Sequence, residues 1–229
     1  MKARGFTLIE LLVAIGVMAL MAGLSWRGLD GMARTQERLT QRSDQLMTLQ
    51  AGLAQWSADL DAMVQMPGSA ALDWDGRALR ITRRSTSAPG DGLLVVAWTR
   101  RLVEGRGQWL RWQSAPILTR GELQGAWASA AQWGQNPGDS EKRLEVAVAA
   151  LDQWQVFYFR SDAWTNPLSS DGAPAPSAAP AAQGKDKSPG AELNVPDGVR
   201  LVLTLPAGDA IGGNLVRDWA RPTLGGGKS

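Results

Sequence analysis

Glu10 is the residue of this 229-residue chain that most needs a chemical explanation. It stands at the front of the run Leu8–Leu24, which otherwise holds no charge and no proline. No Lys or Arg lies between Arg4 and Arg27 to neutralise it. At 1.5 Å per residue that run spans about 25 Å, near the lower limit for crossing a membrane. A carboxylate in such a segment costs roughly 2.5–3.5 kcal/mol near the membrane centre on insertion scales, so it requires a partner. A cut between Gly5 and Phe6 would create one, because the new amine of Phe6 lies one helical turn before Glu10. The carboxylate could pair with its own amine or with a neighbour's in a side-by-side bundle. Two plainer readings are a cleaved secretory signal, with Lys2 and Arg4 as its basic region, and a buried core helix. The first lacks a small-x-small site near Ala22–Ser25 and carries Glu10 at the front of its apolar region.

Other chemistries are thin. The chain has no Cys and no His, which excludes disulfides, thiol catalysis, Ser-His-Asp triads and imidazole metal sites. Asp73 and Asp75 would share one face of a strand, but they adjoin a turn, where Asp is favoured anyway. Asp59 and Asp61 on a helix do not face each other. Gly225-Gly-Gly-Lys-Ser229 lacks both the upstream glycine, replaced by Pro222, and the following helix of a phosphate-binding loop. The 11 Trp read mainly as core aromatics; Trp109 and Trp112, three apart in a strand, point to opposite faces. Trp26 differs, because it ends the apolar run, where indoles favour a membrane interface. Arg83-Arg84 and Arg100-Arg101 read as solvated strand ends. The expectation is a protein with no catalytic residue, no cofactor and no metal.

The elements that would carry Glu10 follow from periodicity. Nothing before Pro67 breaks a helix, and Met32, Leu39, Leu46, Leu53 and Leu60 recur every seven residues. The companion row Thr35, Arg42, Leu49, Trp56 and Met63 is apolar only from Leu49, so the helix predicts an exposed stem over 25–44 and a half packed on a head over 46–64. A coiled coil is the weaker alternative, since its seam is complete for few heptads. Beyond Met66 the signals are strands: 71–74 and 77–84 around Asp75-Gly76, a type I′ hairpin signature, and 93–103 and 108–113 around Glu104-Gly-Arg-Gly107. Further strands fall at 144–149, 153–160, 199–205 and 213–219, with a turn at Asp139–Lys142. One long helix followed by strands without βαβ alternation predicts an α+β fold with an antiparallel sheet head. The Ala/Pro/Ser-rich segment 168–192 and the tail 223–229 cannot bury enough apolar surface to order themselves, and the first reads as a flexible insertion between head strands.

Basic leader, Gly5, Phe6-Thr-Leu-Ile-Glu10 and an apolar run together resemble the class III signal of type IV prepilins and pseudopilins. That resemblance implies a pilin-like fold, cleavage between Gly5 and Phe6 by a membrane peptidase that also N-methylates Phe6, and Glu10 as the assembly carboxylate. The chain then divides into leader 1–5, transmembrane helix 6–24, periplasmic stem 25–65 and head 66–229. The stretch Trp26-Arg27-Gly28-Leu29-Asp30 resembles a signature of J-type minor pseudopilins of type II secretion systems. Leu151–Phe159, Trp164-x-Asn-Pro167 and Val195–Leu205 are similar to later segments of that family. Implied partners are the I-, K- and H-type minor pseudopilins, the major pseudopilin, the prepilin peptidase and an inner-membrane assembly platform. The implied location is the bacterial inner membrane, single pass, with the head in the periplasm. Arg27, Arg34, Arg38 and Arg42 after the span outnumber Lys2 and Arg4 before it, so the positive-inside rule does not support this orientation, which rests on the leader. The alternatives are a minor pilin of a type IV pilus and a membrane-anchored glycan-binding module using its Trp.

The charge of the whole chain also changes meaning here. A sequence pI of about 9.3 invites a nucleic-acid partner. Without Lys2 and Arg4 the 24 basic residues fall to the same number as the 22 acidic ones, so the excess belongs to the leader and no nucleic acid is expected.

Overall fold

The computed structural model describes residues 7–85, 92–160, 162–168, 195–208 and 211–222. The chain forms two compact units, Met1–Gln45 and Leu46–Ser229. Helix α1 runs Leu8–Asp61, and no proline interrupts its 54 residues. In the first unit every described residue is exposed. From Leu46 onward the helix buries Leu49, Gly52, Trp56, Asp59 and Leu60.

The second unit is built on two antiparallel sheets, in line with the α+β expectation. The first has five strands in the order β1 (Leu72–Trp74), β2 (Ala78–Arg84), β3 (Leu93–Val103), β4 (Arg106–Gln113) and β5 (Glu145–Ala150). The second places β6 (Gln153–Arg160) between β7 (Ala163–Thr165) and β8 (Gly198–Leu205), with β9 (Gly213–Ala220) outermost beyond β8. One core gathers Trp56 and Leu60 of α1, Ile81, Val96 and Trp98 of the first sheet, and Val199, Leu201 and Leu203 of the second. A second core lies on the other face of the first sheet, where Val95, Ala97, Leu110 and Trp112 meet helix α2 (Arg120–Gln135). Trp109 falls in the first core and Trp112 in the second, as their spacing requires.

Several expectations need correction. Helix α2 stands where no helix was expected. Its start is a capping box: the Thr119 hydroxyl accepts from the Glu122 amide at 3.2 Å, and Glu122 accepts from the Thr119 amide at 2.9 Å. Amide donation from Leu118 and Thr119 holds the Glu122 carboxyl below its ordinary value. Asp139–Lys142 is not a plain turn but a single helical turn, α3. The first hairpin turns one residue later than Asp75-Gly76: Trp74 pairs with Leu79, and Gly76 alone has positive φ, the sign pattern of a type II′ turn on Gly76-Arg77. Asp75 Oδ1 holds that turn by accepting from the Arg77 and Ala78 amides at 2.9 and 2.8 Å. The second hairpin is the type I′ one, with φ of 50° at Glu104 and 77° at Gly105 between the paired Val103 and Arg106.

Of the arginines expected at solvated strand ends, Arg84 is exposed at the end of β2, but Arg83 and Arg101 are not. Arg83 is buried and bonds the Asp59 carboxylate, and Arg101 pairs with Glu145 at 2.7 Å over the Trp133 ring. Sheet alternation turns both inward against a helix that carries, or lies beside, an acid. Residues 169–194 and 223–229, most of the Ala/Pro insertion and all of the tail, lie outside the described residues.

Candidate functional site

Gly5 and Phe6 lie outside the described residues; Glu10, in the first turn of α1, is within them. Thr7 precedes the helix and Glu10 follows three residues later, the spacing of a capping box. The Glu10 carboxylate accepts from the Thr7 hydroxyl at 3.3 Å and lies 3.5 Å from its amide. It is therefore turned back toward the chain start, where a cut after Gly5 would place a free amine one residue away. The unpaired amides of a helix N-terminus favour negative charge there, so a carboxylate without a basic side chain beside it can sit at this end of an apolar helix. Behind it the helix is long and apolar enough to cross a membrane.

The stretch Trp26–Asp30 makes no pocket. Trp26 is 74% exposed and Leu29 63%, and a side chain added at Gly28 would meet open space. Asp30 pairs with Arg34 at 2.7 Å on the next turn. Five consecutive helical residues point around the whole cylinder, so they can offer a contact surface but cannot converge on a substrate.

The structure adds a site that the sequence did not reveal. Asp59 is fully buried, with Arg83 on one carboxylate oxygen and both oxygens bridged by Arg111 at 2.8 and 2.9 Å. The Trp98 indole donates at 2.8 Å and the Gln55 amide at 2.9 Å. Every lone pair has a donor, which is what lets a charge remain in an apolar core. Asp61, two residues on, accepts instead from the Trp219 indole at 2.8 Å. These two acids fasten the C-terminal half of α1 to both sheets. They are not a catalytic dyad.

Asp73 and Asp75 are likewise engaged, both against Arg80, which also stacks on the Trp127 ring at 5.4 Å. No group of three potential metal-ligating residues occurs among the described residues. A 300 Å³ cleft beside Met66, Leu93, Ile117 and Leu123 is apolar and brings no acid–base pair together. Of the indoles, Trp26 alone is exposed; Trp164, half-buried, lies under the Arg200 guanidinium at 4.3 Å. The head therefore presents no open indole platform of the kind that favoured a glycan module.

Residues 1–26 match the family described as the prokaryotic N-terminal methylation motif. The match is confined to the N-terminus, and the long helix followed by antiparallel sheets is the arrangement expected of a pilin-like fold. Among solved structures, a chain of the GspK–GspI–GspJ complex from the type 2 secretion system of enterotoxigenic Escherichia coli is similar. The identity is 17%, the TM-score 0.42, and the match covers 77% of this chain and 96% of that one. Among curated proteins, none matches.

Proposed function

We propose that the chain is a minor pseudopilin of a type II protein secretion system, of the J type, and that it acts by assembling rather than by catalysis. The observation that carries this reading is the methylation motif over residues 1–26 with Glu10 in the first turn of an apolar helix. In this reading a prepilin peptidase cuts between Gly5 and Phe6 and methylates the Phe6 amine. The apolar helix stores the subunit in the inner membrane, with the head in the periplasm. When the subunit is extracted, Glu10 meets the amine of a neighbouring chain, where pairing offsets the cost of a carboxylate in an apolar setting. Trp26-Arg-Gly-Leu-Asp30 supports the J type and a place in the tip complex of the pseudopilus beside I-, K- and H-type subunits.

Co-purification of the full chain from membranes with candidate I- and K-type partners tests the proposal. Recovery of a stable complex is the expected result. Failure with every partner contradicts the tip-complex role.

A further inference from the structure

Among the described residues the two sheets end in four edge strands, and these edges are not finished alike. Strands β1 and β7 have three residues each, too few to template a further strand well. Strand β9 carries the charged neighbours Arg217 and Asp218. Strand β5 lacks these protections: after Glu145 it reads Val146-Ala-Val-Ala-Ala150, with no charge and no proline. Glu145 itself is turned to the α2 side, where Arg101 and the Trp133 indole hold it. The one irregularity, a shift of register opposite Trp109 and Leu110, lies beyond Ala147 at Val148, which packs on Gly52 of α1.

The backbone of β5 shows where its open groups point. The Leu144 carbonyl accepts from the Gln113 amide at 3.4 Å, so Leu144 faces β4. Alternation then turns the amides and carbonyls of Glu145 and Ala147 to the outer edge, where no strand of the described residues meets them. The side chains beside them are open as well. Val146 lies opposite Arg111, on the face toward α1, and is 63% exposed; Leu144, two residues back on that face, is 50% exposed. An uncharged row of donors and acceptors thus borders an exposed apolar row.

We propose that the outer edge of β5 accepts an extended strand of a neighbouring subunit, paired through the backbone of Glu145 and Ala147. Another extended backbone is the partner whose spacing meets both donors and acceptors of such an edge, and its alternate apolar side chains would cover Leu144 and Val146. The proposal rests on the assembly reading above, which places other subunits beside this one.

The full-length chain, co-purified from membranes with I- and K-type subunits, tests it. Hydrogen exchange at the Glu145 and Ala147 amides should slow about tenfold or more in the complex relative to the chain alone. Ala147→Pro removes a donor that β4 does not use, and Val146→Lys charges the edge without touching the backbone. Each should lower recovery of the complex about tenfold with the melting transition in place. If Ala147→Pro lowers the melt, Val146→Lys decides. Val216→Lys, the matching change at an exposed position of β9, should leave recovery as in the parent. Unslowed exchange in the complex, or parent-like recovery with Val146→Lys, overturns strand addition at β5, and equal loss with Val216→Lys overturns the choice of edge. Slowed exchange in the chain alone as its concentration rises overturns the partner subunit in favour of a second copy. In all these outcomes a recovered parent complex leaves the proposed function standing; its absence removes both.

Discussion

Glu10 and Asp59 are carboxylates on the same helix in opposite surroundings. Asp59 is closed off from water and satisfied by two guanidinium groups, an indole and an amide. Glu10 stands on an exposed apolar helix, where among the described residues Thr7 alone bonds it. Residues around Asp59 complete themselves within one chain, so they belong to folding. Residues around Glu10 present an exposed apolar cylinder that suits a membrane, and in the proposed function the carboxylate finds its partner on a neighbouring subunit.

The largest effects should come from the Asp59 side of this contrast. Asp59→Ala leaves two arginines at a buried site without their shared anion, which costs about 3–5 kcal/mol. Thermal unfolding of the chain in detergent should show a fall in Tm of many degrees, whereas Glu10→Gln should leave that transition in place. An equal loss from both changes would erase the distinction. Trp56→Ala, in the first core, should cost a similar amount, about 3–5 kcal/mol.

A smaller effect is expected where the helix touches β5. A Cβ built at Gly52 would lie 2.1 Å from Val148 Cγ1, so Gly52→Ala must displace a strand side chain. Overpacking of this kind costs about 1–3 kcal/mol, and Val148→Ala in the same chain should recover most of it. No recovery in denaturant melts would mean that the helix does not pack here as closely as described.

The smallest change concerns α2. Thr119→Ala removes one half of the capping box and should cost about 1 kcal/mol. The other half carries a pH signature. The Glu122 carboxyl is held below its ordinary value, so its contribution is present above the unfolded-state pKa and is lost as pH falls through the folded one. Circular dichroism of Glu122→Gln should therefore differ from the parent above the usual carboxylate range and converge with it in acid. A difference that persists in acid would assign the effect to packing.

How legible these features are in the sequence depends on the range of the interactions that make them. Glu10 stands out because a single charge in an apolar run is anomalous on its own. The strands are legible because alternation is local, and so is the hairpin at Glu104–Gly107; the turn types are not, since the type I′ turn lies at Glu104-Gly105 and not at Asp75-Gly76. Helix α2 hides because its buried side is only Leu123, Ala130 and Trp133, and Gly121, Gly125 and Gly134 dilute its helical propensity. The pair Thr119 and Glu122 is the one local sign of it. The Asp59 cluster is illegible for a different reason: its partners Arg83, Trp98 and Arg111 stand 24, 39 and 52 residues away, and nothing in their spacing links them. Arg83 next to Arg84 reads as a surface pair until the sheet turns the first of them inward.

In the proposed function Glu10 serves assembly and not folding or processing. Glu10→Gln in the full chain, expressed with its partner subunits, separates the three. The expected result is a chain still cut after Gly5, as read by the mass of its N-terminal peptide, with an unchanged melting transition and with recovery of the partner complex reduced at least tenfold. A Glu10→Gln chain that is processed and still assembles as the parent does would contradict the account.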